Sequence, residues 1–229
     1  MIVAIHQPNF FPWSGYFHKI LRADCFVFLD NVQYSKNSFI NRNKIKTPKG
    51  PAWLTVPVAT ANHFQQNICE TSMSWQTDWR AKHLATLHSC YGRAPHGKQG
   101  IAMVEREYAD LQPETTLAEL NIRLVRGACA MLDLPLRSVR SSELADLPPG
   151  VSTERLVNIC RALGATEYLA GMGAPKYQED ALFEQAGIRV AYSQYKPPSY
   201  DQLWGAYTPN LSILDVLMNC GPAAKALLQ

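Results

Sequence analysis

Short, wholly apolar runs alternate along this chain with longer stretches whose apolar residues recur at helical spacing. Ile2 to Ile5 is apolar throughout, as expected of a strand buried on both faces. Pro8 and Pro12 bar regular structure after it. Ser14 stands where a helix cap belongs, ahead of Tyr16, Phe17, Ile20 and Leu21. Cys25 to Leu29 is a second apolar run, closed by Asp30. Strand, loop, helix and strand within about thirty residues make a βαβ unit, so these strands should lie parallel. Phe39 to Ile45 is expected to be extended, and Ala52 to Val58 to form a strand after a Lys49-Gly50 turn.

The middle reads as helical, over Asp78 to Tyr91, Gly100 to Tyr108 and Thr116 to Leu132, with Asn121, Leu124, Ala128 and Met131 on one face. Leu134 to Val139 is a predicted strand, and Leu147-Pro148-Pro149-Gly150 a turn. Ser152 should cap a helix through Leu156, Ile159 and Leu163 that Gly164 ends. A strand at Glu167 to Ala170, a Gly171-Met172-Gly173 turn, a helix from Pro175 to Gln185 and a strand at Ile188 to Tyr192 follow. Ser212 to Cys220 makes the last helix. The pattern predicts an α/β fold: a Rossmann-like three-layer sandwich on a mainly parallel sheet. Residues 1–229 form one domain, with a helical insert at about 75–132.

Composition narrows the classes. At 47% hydrophobic and 18% charged, the chain has the residues for a sizeable core. A net charge of +3 is too small for a nucleic-acid footprint, so no nucleic acid is expected. The densest basic run, Arg42, Lys44, Lys46 and Lys49, is a solvated loop face or a contact for an anionic ligand. No apolar run reaches the ~18 residues of a membrane span, and nothing resembles a signal peptide. Membrane insertion is therefore not expected, and a cytoplasmic location is. Six scattered cysteines, without a Cys-x-x-Cys pair, read as thiols and not as a disulfide or metal framework. His83 and His88 are five apart, His63 and His96 have no sequence partner, and no metal or cofactor is expected.

The most unusual segment is His6-Gln7-Pro8-Asn9-Phe10-Phe11-Pro12-Trp13. It follows a first parallel strand, at the sheet edge where open α/β sheets bind ligands. His6 suits general acid–base work, and Gln7 and Asn9 suit hydrogen bonds to a carbonyl or oxyanion. Asp30, ending the neighbouring strand, is placed to orient His6. The same residues also suit plain packing and a turn cap. Ser152, Thr153 and Arg155 open a helix whose N-terminus favours phosphate. Gly171 and Gly173 permit close approach of a phosphate, though the third glycine of the dinucleotide fingerprint is missing. Tyr195, Lys196, Trp204 and Tyr207 suggest an aromatic rim.

Together, His6-Gln-Pro-Asn, Pro12-Trp-x-Gly15-Tyr16-Phe, Phe28-Leu-Asp30-Asn-Val-Gln33-Tyr34, Asn41-Arg42-Asn43-Lys44-Ile45, Trp53-Leu-Thr-Val-Pro57, Ser152-Thr-Glu-Arg155 and Pro209-Asn210-Leu-Ser-Ile-Leu-Asp215 resemble the WbqC-like protein family over essentially the whole chain. On these motifs Trp13, Tyr16, Gln33, Tyr34, Asn41, Arg42 and Asn210 join the candidate substrate-binding residues. The resemblance implies a place in bacterial O-antigen, other surface-polysaccharide or natural-product gene clusters. Such pathways acylate amino sugars. The expected function is therefore a transferase on a sugar-nucleotide or carrier-bound intermediate. It would pass an acyl or aminoacyl group from a thioester or acyl-carrier donor to an amine, with His6 as general base. Two other classes stay open. One is a nucleotide-binding or nucleotidyl-transferring enzyme, weakened because the HxGH pattern lacks its second histidine here. The other is a non-catalytic carrier- or glycan-binding partner.

Overall fold

A computed structural model describes residues 1–59, 66–176 and 178–229; His63 lies outside them. Five strands form one parallel sheet: β1 (Ile2–His6), β2 (Cys25–Phe28), β5 (Ser138–Arg140), β6 (Glu167–Ala170) and β7 (Arg189–Tyr192). Their spatial order is β5-β2-β1-β6-β7. Alternation along each strand divides the core. Ala4, Phe26 and Phe28 join a large apolar cluster on one face, while Val3, Ile5, Cys25 and Val27 join a smaller one on the other. Burial on both faces explains why these strands are continuous apolar runs.

The large cluster is covered by α1 (Ser14–Arg22), α2 (Trp79–Tyr91), α3 (Gly97–Ala109), α4 (Leu117–Met131) and α7 (Ile213–Cys220). The opposite face carries α5 (Ser152–Ala162) and α6 (Asp180–Gln185). This is the three-layer α/β sandwich that the pattern predicts. The helices expected near 78–91, 100–108 and 116–132 form, and the second begins earlier, at Gly97.

Several expectations are corrected. The segments expected to be extended at Phe39–Ile45 and Ala52–Val58 form shifted strands and stand outside the main sheet. They pair with each other as an antiparallel hairpin, β3 (Arg42–Thr47) with β4 (Gly50–Thr55), closed at Gly50 with φ 99°. Exposed Lys44 and exposed Pro51, Ala52 and Trp53 suit a two-stranded ribbon with one wet face. The strand expected from Leu134 shortens to Ser138–Arg140. Pro175 lies in a 3₁₀ turn over Ala174–Lys176, and the helix proper begins at Asp180. Neither Ser14 nor Ser152 caps a helix by its side chain; Trp13 and Val151 hold the cap positions, and Ser152 sits at φ 50°. A 3₁₀ stretch over Gly221–Leu228, not foreseen, follows α7.

The chain order places the functional feature. From β1 the chain moves outward through β2 to β5, then returns to the other side of β1 with β6 and β7. The gap between β1 and β6 is thus a topological switch point, where ligands bind such sheets. The ladder there is short. It pairs Ile2 with Glu167 and Val3 with Tyr168, although β1 runs on to His6 and β6 to Ala170. The carboxyl ends of the two strands therefore part and leave a crevice.

Candidate functional site

His6 ends β1 on the wall of that crevice. The loop behind it is heavily pinned. Asn121, fully buried on α4, donates to Pro8 O at 2.8 Å and Ile40 O at 2.7 Å. Asn43 Nδ2 and Ser212 Oγ both donate to Phe11 O, at 2.8 and 2.9 Å. These bonds hold Phe11 at φ 38°, a conformation an L-residue avoids by roughly 1–2 kcal/mol. Gly15 is demanded by close approach, since a Cβ there would stand 2.8 Å from the Trp13 indole nitrogen.

The imidazole of His6 packs 4.8 Å from the Tyr16 ring and 5.6 Å from Trp13. Its Nδ1 lies 3.1 Å from Gln7 O. A carbonyl only accepts, so Nδ1 carries the hydrogen and, in the neutral ring, Nε2 presents a lone pair. Burial, with the Lys19 cation adding to it and the Gln7 carbonyl opposing, lowers the pKa from the ordinary 6.5 to about 3. The ring is neutral at physiological pH.

Two cavities meet at this residue. The first, about 420 Å³, is lined by His6, Gln7, Leu29, Val32, Tyr168 and the start of α5, including Ser152, Thr153 and Arg155. The second, about 560 Å³, is lined by His6, Trp13, Lys19 and Tyr168, by the loop from Gly171 through Gly173, and by Tyr195, Lys196 and Asn210. Ile5, His6 and Tyr168 belong to both, so they form the partition between two chambers. In the first chamber the Arg155 guanidinium donates to the carbonyls of Gly150 and Asn31, each at 3.1 Å. Among the described residues it has no carboxylate partner. That cation and the N-terminal dipole of α5 make this chamber suited to an anion.

Asp30 does not join His6. Its carboxylate is fully buried and turned toward the β5 side. Oδ2 accepts from Arg140 Nε at 2.7 Å and Ser142 Oγ at 2.8 Å. Oδ1 accepts from the Ser142 amide at 2.9 Å and lies 3.1 Å from Ser141 Oγ. No hydrogen bond or ion pair links it to the imidazole among the described residues. The expected histidine–carboxylate pair is replaced by a structural clasp between the ends of β2 and β5.

The other expected residues divide. Gln7, Ser152, Thr153 and Arg155 line the first chamber; Trp13, Gly171, Gly173 and Asn210 line the second. Tyr16 supports His6 from beneath and donates to Gln7 O at 3.1 Å. Asn9 is buried and Asn41 donates to Val56 O, so both serve packing, and neither lines a chamber. Gln33 bridges to Asn67, and the Tyr34 amide bonds Gln66 O. Arg42 stacks on Trp53 at 4.3 Å. Trp204 donates to Cys90 O and stands apart from both chambers. Tyr195 and Lys196 of the expected rim do reach the second.

Lys19 was not foreseen as a site residue. Helical spacing from Tyr16 already puts it on the buried face of α1, where a lysine is out of place. No group of three His, Cys, Asp or Glu residues that could hold a metal occurs among the described residues. No helix among them is long and apolar enough to cross a membrane.

The parallel five-stranded sheet, covered on both faces and open at its switch point, defines the class as a Rossmann-like α/β sandwich. The chain belongs to the WbqC-like protein family, whose model matches residues 7–227. It is 40% identical over 230 residues to the uncharacterized protein Rv1507c of Mycobacterium tuberculosis (strain ATCC 25618 / H37Rv), with 99% of this chain and 97% of that protein covered. No solved structure gives a significant match.

Proposed function

We propose that the chain is a transferase acting on a sugar-nucleotide or carrier-bound intermediate of surface-polysaccharide or natural-product biosynthesis, and that it passes an acyl or aminoacyl group from a thioester to an amine. The observation that carries this reading is the position of His6 on the partition between two chambers. The phosphates of a sugar nucleotide suit the first chamber, with Arg155 and the start of α5. An acyl donor then occupies the second.

The amine nitrogen attacks the thioester carbonyl, and its N–H proton becomes acidic as positive charge develops on nitrogen. His6 Nε2 accepts that proton and returns it to the departing thiolate, leaving an amide and a thiol. A ring with so low a pKa is a weak standing base, so its role is a relay within the tetrahedral intermediate and not deprotonation of a free ammonium.

The test combines thermal shift with turnover. Sugar nucleotides should stabilise the native chain, and Arg155→Ala should weaken that binding by about tenfold or more. His6→Gln should keep the thermal shift and lose transfer by roughly 10²-fold or more. Pyrophosphate release from a nucleoside triphosphate, with no amide formed from any thioester, would instead establish nucleotidyl transfer.

A further inference from the structure

The second chamber holds a buried cation, Lys19, that no carboxylate neutralises among the described residues. Lys19 is 5% exposed, and among the described residues Nζ makes one hydrogen bond, to Ile5 O at 3.1 Å. Carbonyls alternate along β1: those of Ile2 and His6 accept bonds on the β2 side, so that of Ile5 points toward β6. Lys19 therefore reaches into the gap where the next rung of the β1–β6 ladder would lie. No carboxylate pairs with it among the described residues, and the His6 ring beside it is neutral.

Lys46 gives the contrast. It is equally buried, but its ammonium has three acceptors: Gln202 Oε1, Gly205 O and Ala206 O at 3.0, 3.3 and 2.6 Å. Lys19 has one acceptor among the described residues for three N–H groups, and it stands on a chamber wall. A charge kept out of water and left unpaired is unfavourable unless something else completes its coordination. Lys196, Gly171 and Gly173 line the same chamber.

We propose that Lys19 anchors an anionic group, a carboxylate or a phosphoryl, carried by the ligand of the second chamber. This deepens the transferase reading and rests on it for the crevice being the ligand site. It assigns the acyl-donor side a negatively charged group close to the reacting centre, set apart from the phosphate held by Arg155.

The experiment is a ¹³C NMR titration of the lysine Cε signals in the full chain, alone and with saturating acetate or pyrophosphate as the two probes. Burial alone lowers the Lys19 pKa from 10.5 to about 8, which makes its signal distinct. A bound anion should raise that midpoint by about one to three units. The probe that does so tells carboxylate from phosphoryl. Lys19→Met should bind that probe about tenfold more weakly, yet melt at a higher temperature, because it replaces an unpaired buried charge with an isosteric apolar chain. A midpoint unmoved by either probe would overturn the inference, as would a Met variant that melts lower and binds equally well; Lys19 would then be a plug for Ile5 O. If sugar nucleotides still bind through Arg155, only this inference falls. If neither sugar nucleotides nor anions bind, the transferase reading falls with it.

Discussion

An Asp30→Ala chain is expected to lose about 3–5 kcal/mol of stability in urea unfolding, with little change in the slope of the transition. The carboxylate is fully buried and accepts from Arg140, from the Ser142 hydroxyl and from the Ser142 amide. Removing it strands those donors. Among the described residues, Arg140 would keep distant contacts with Glu119 and Glu143, at 3.9 and 3.8 Å. Charged hydrogen bonds in a low-dielectric interior are costly to break from one side, because the remaining partner stays desolvated. A loss below about 1 kcal/mol would show that the clasp is not holding β2 to β5, and would free Asp30 for the chemical role its position first suggests.

The second large effect lies on the acid side. The folded His6 ring resists protonation down to about pH 3, whereas the unfolded ring takes up its proton near 6.5. Between those values the unfolded chain binds more protons, so stability falls as pH falls. At about pH 4.5 the two-unit gap corresponds to about 3 kcal/mol, which contact with the chambers reduces to about 2 kcal/mol. His83, lowered to about 4 by burial with its Nε2 2.9 Å from Thr55 O, adds a slope of the same sign. Unfolding midpoints at pH 7, 5.5 and 4.5 should therefore drop more steeply for the native chain than for His6→Gln, which keeps the His83 contribution. Parallel curves would mean that the ring titrates normally in the folded state.

The sheet was legible because its residues announce themselves. Val3, Ala4 and Ile5, and likewise Phe26, Val27 and Phe28, are apolar at consecutive positions, as a strand covered on both faces requires. The hairpin was legible as two extended segments but not as a separate ribbon, since the partner of a strand is a long-range choice that its own residues do not encode. The same limit explains Asp30. Its partners lie 110 to 112 residues away, and local pattern offered the neighbouring strand end or a turn cap. His6, Gln7, Ser152, Thr153 and Arg155 were found because polar residues at strand and helix ends follow a rule of open sheets. Lys19 was not legible because most helix lysines keep their ammonium in water. Its place on the apolar stripe of α1 is visible in the spacing from Tyr16 to Ile20.

The partition at His6 has a kinetic consequence. With room on each side of one ring, both reactants fit at once and neither must depart before the other arrives. Under the proposed activity, initial rates measured against both substrates should give intersecting double-reciprocal lines, the mark of a ternary complex. Parallel lines would mean that the group rests covalently on the protein between two half-reactions.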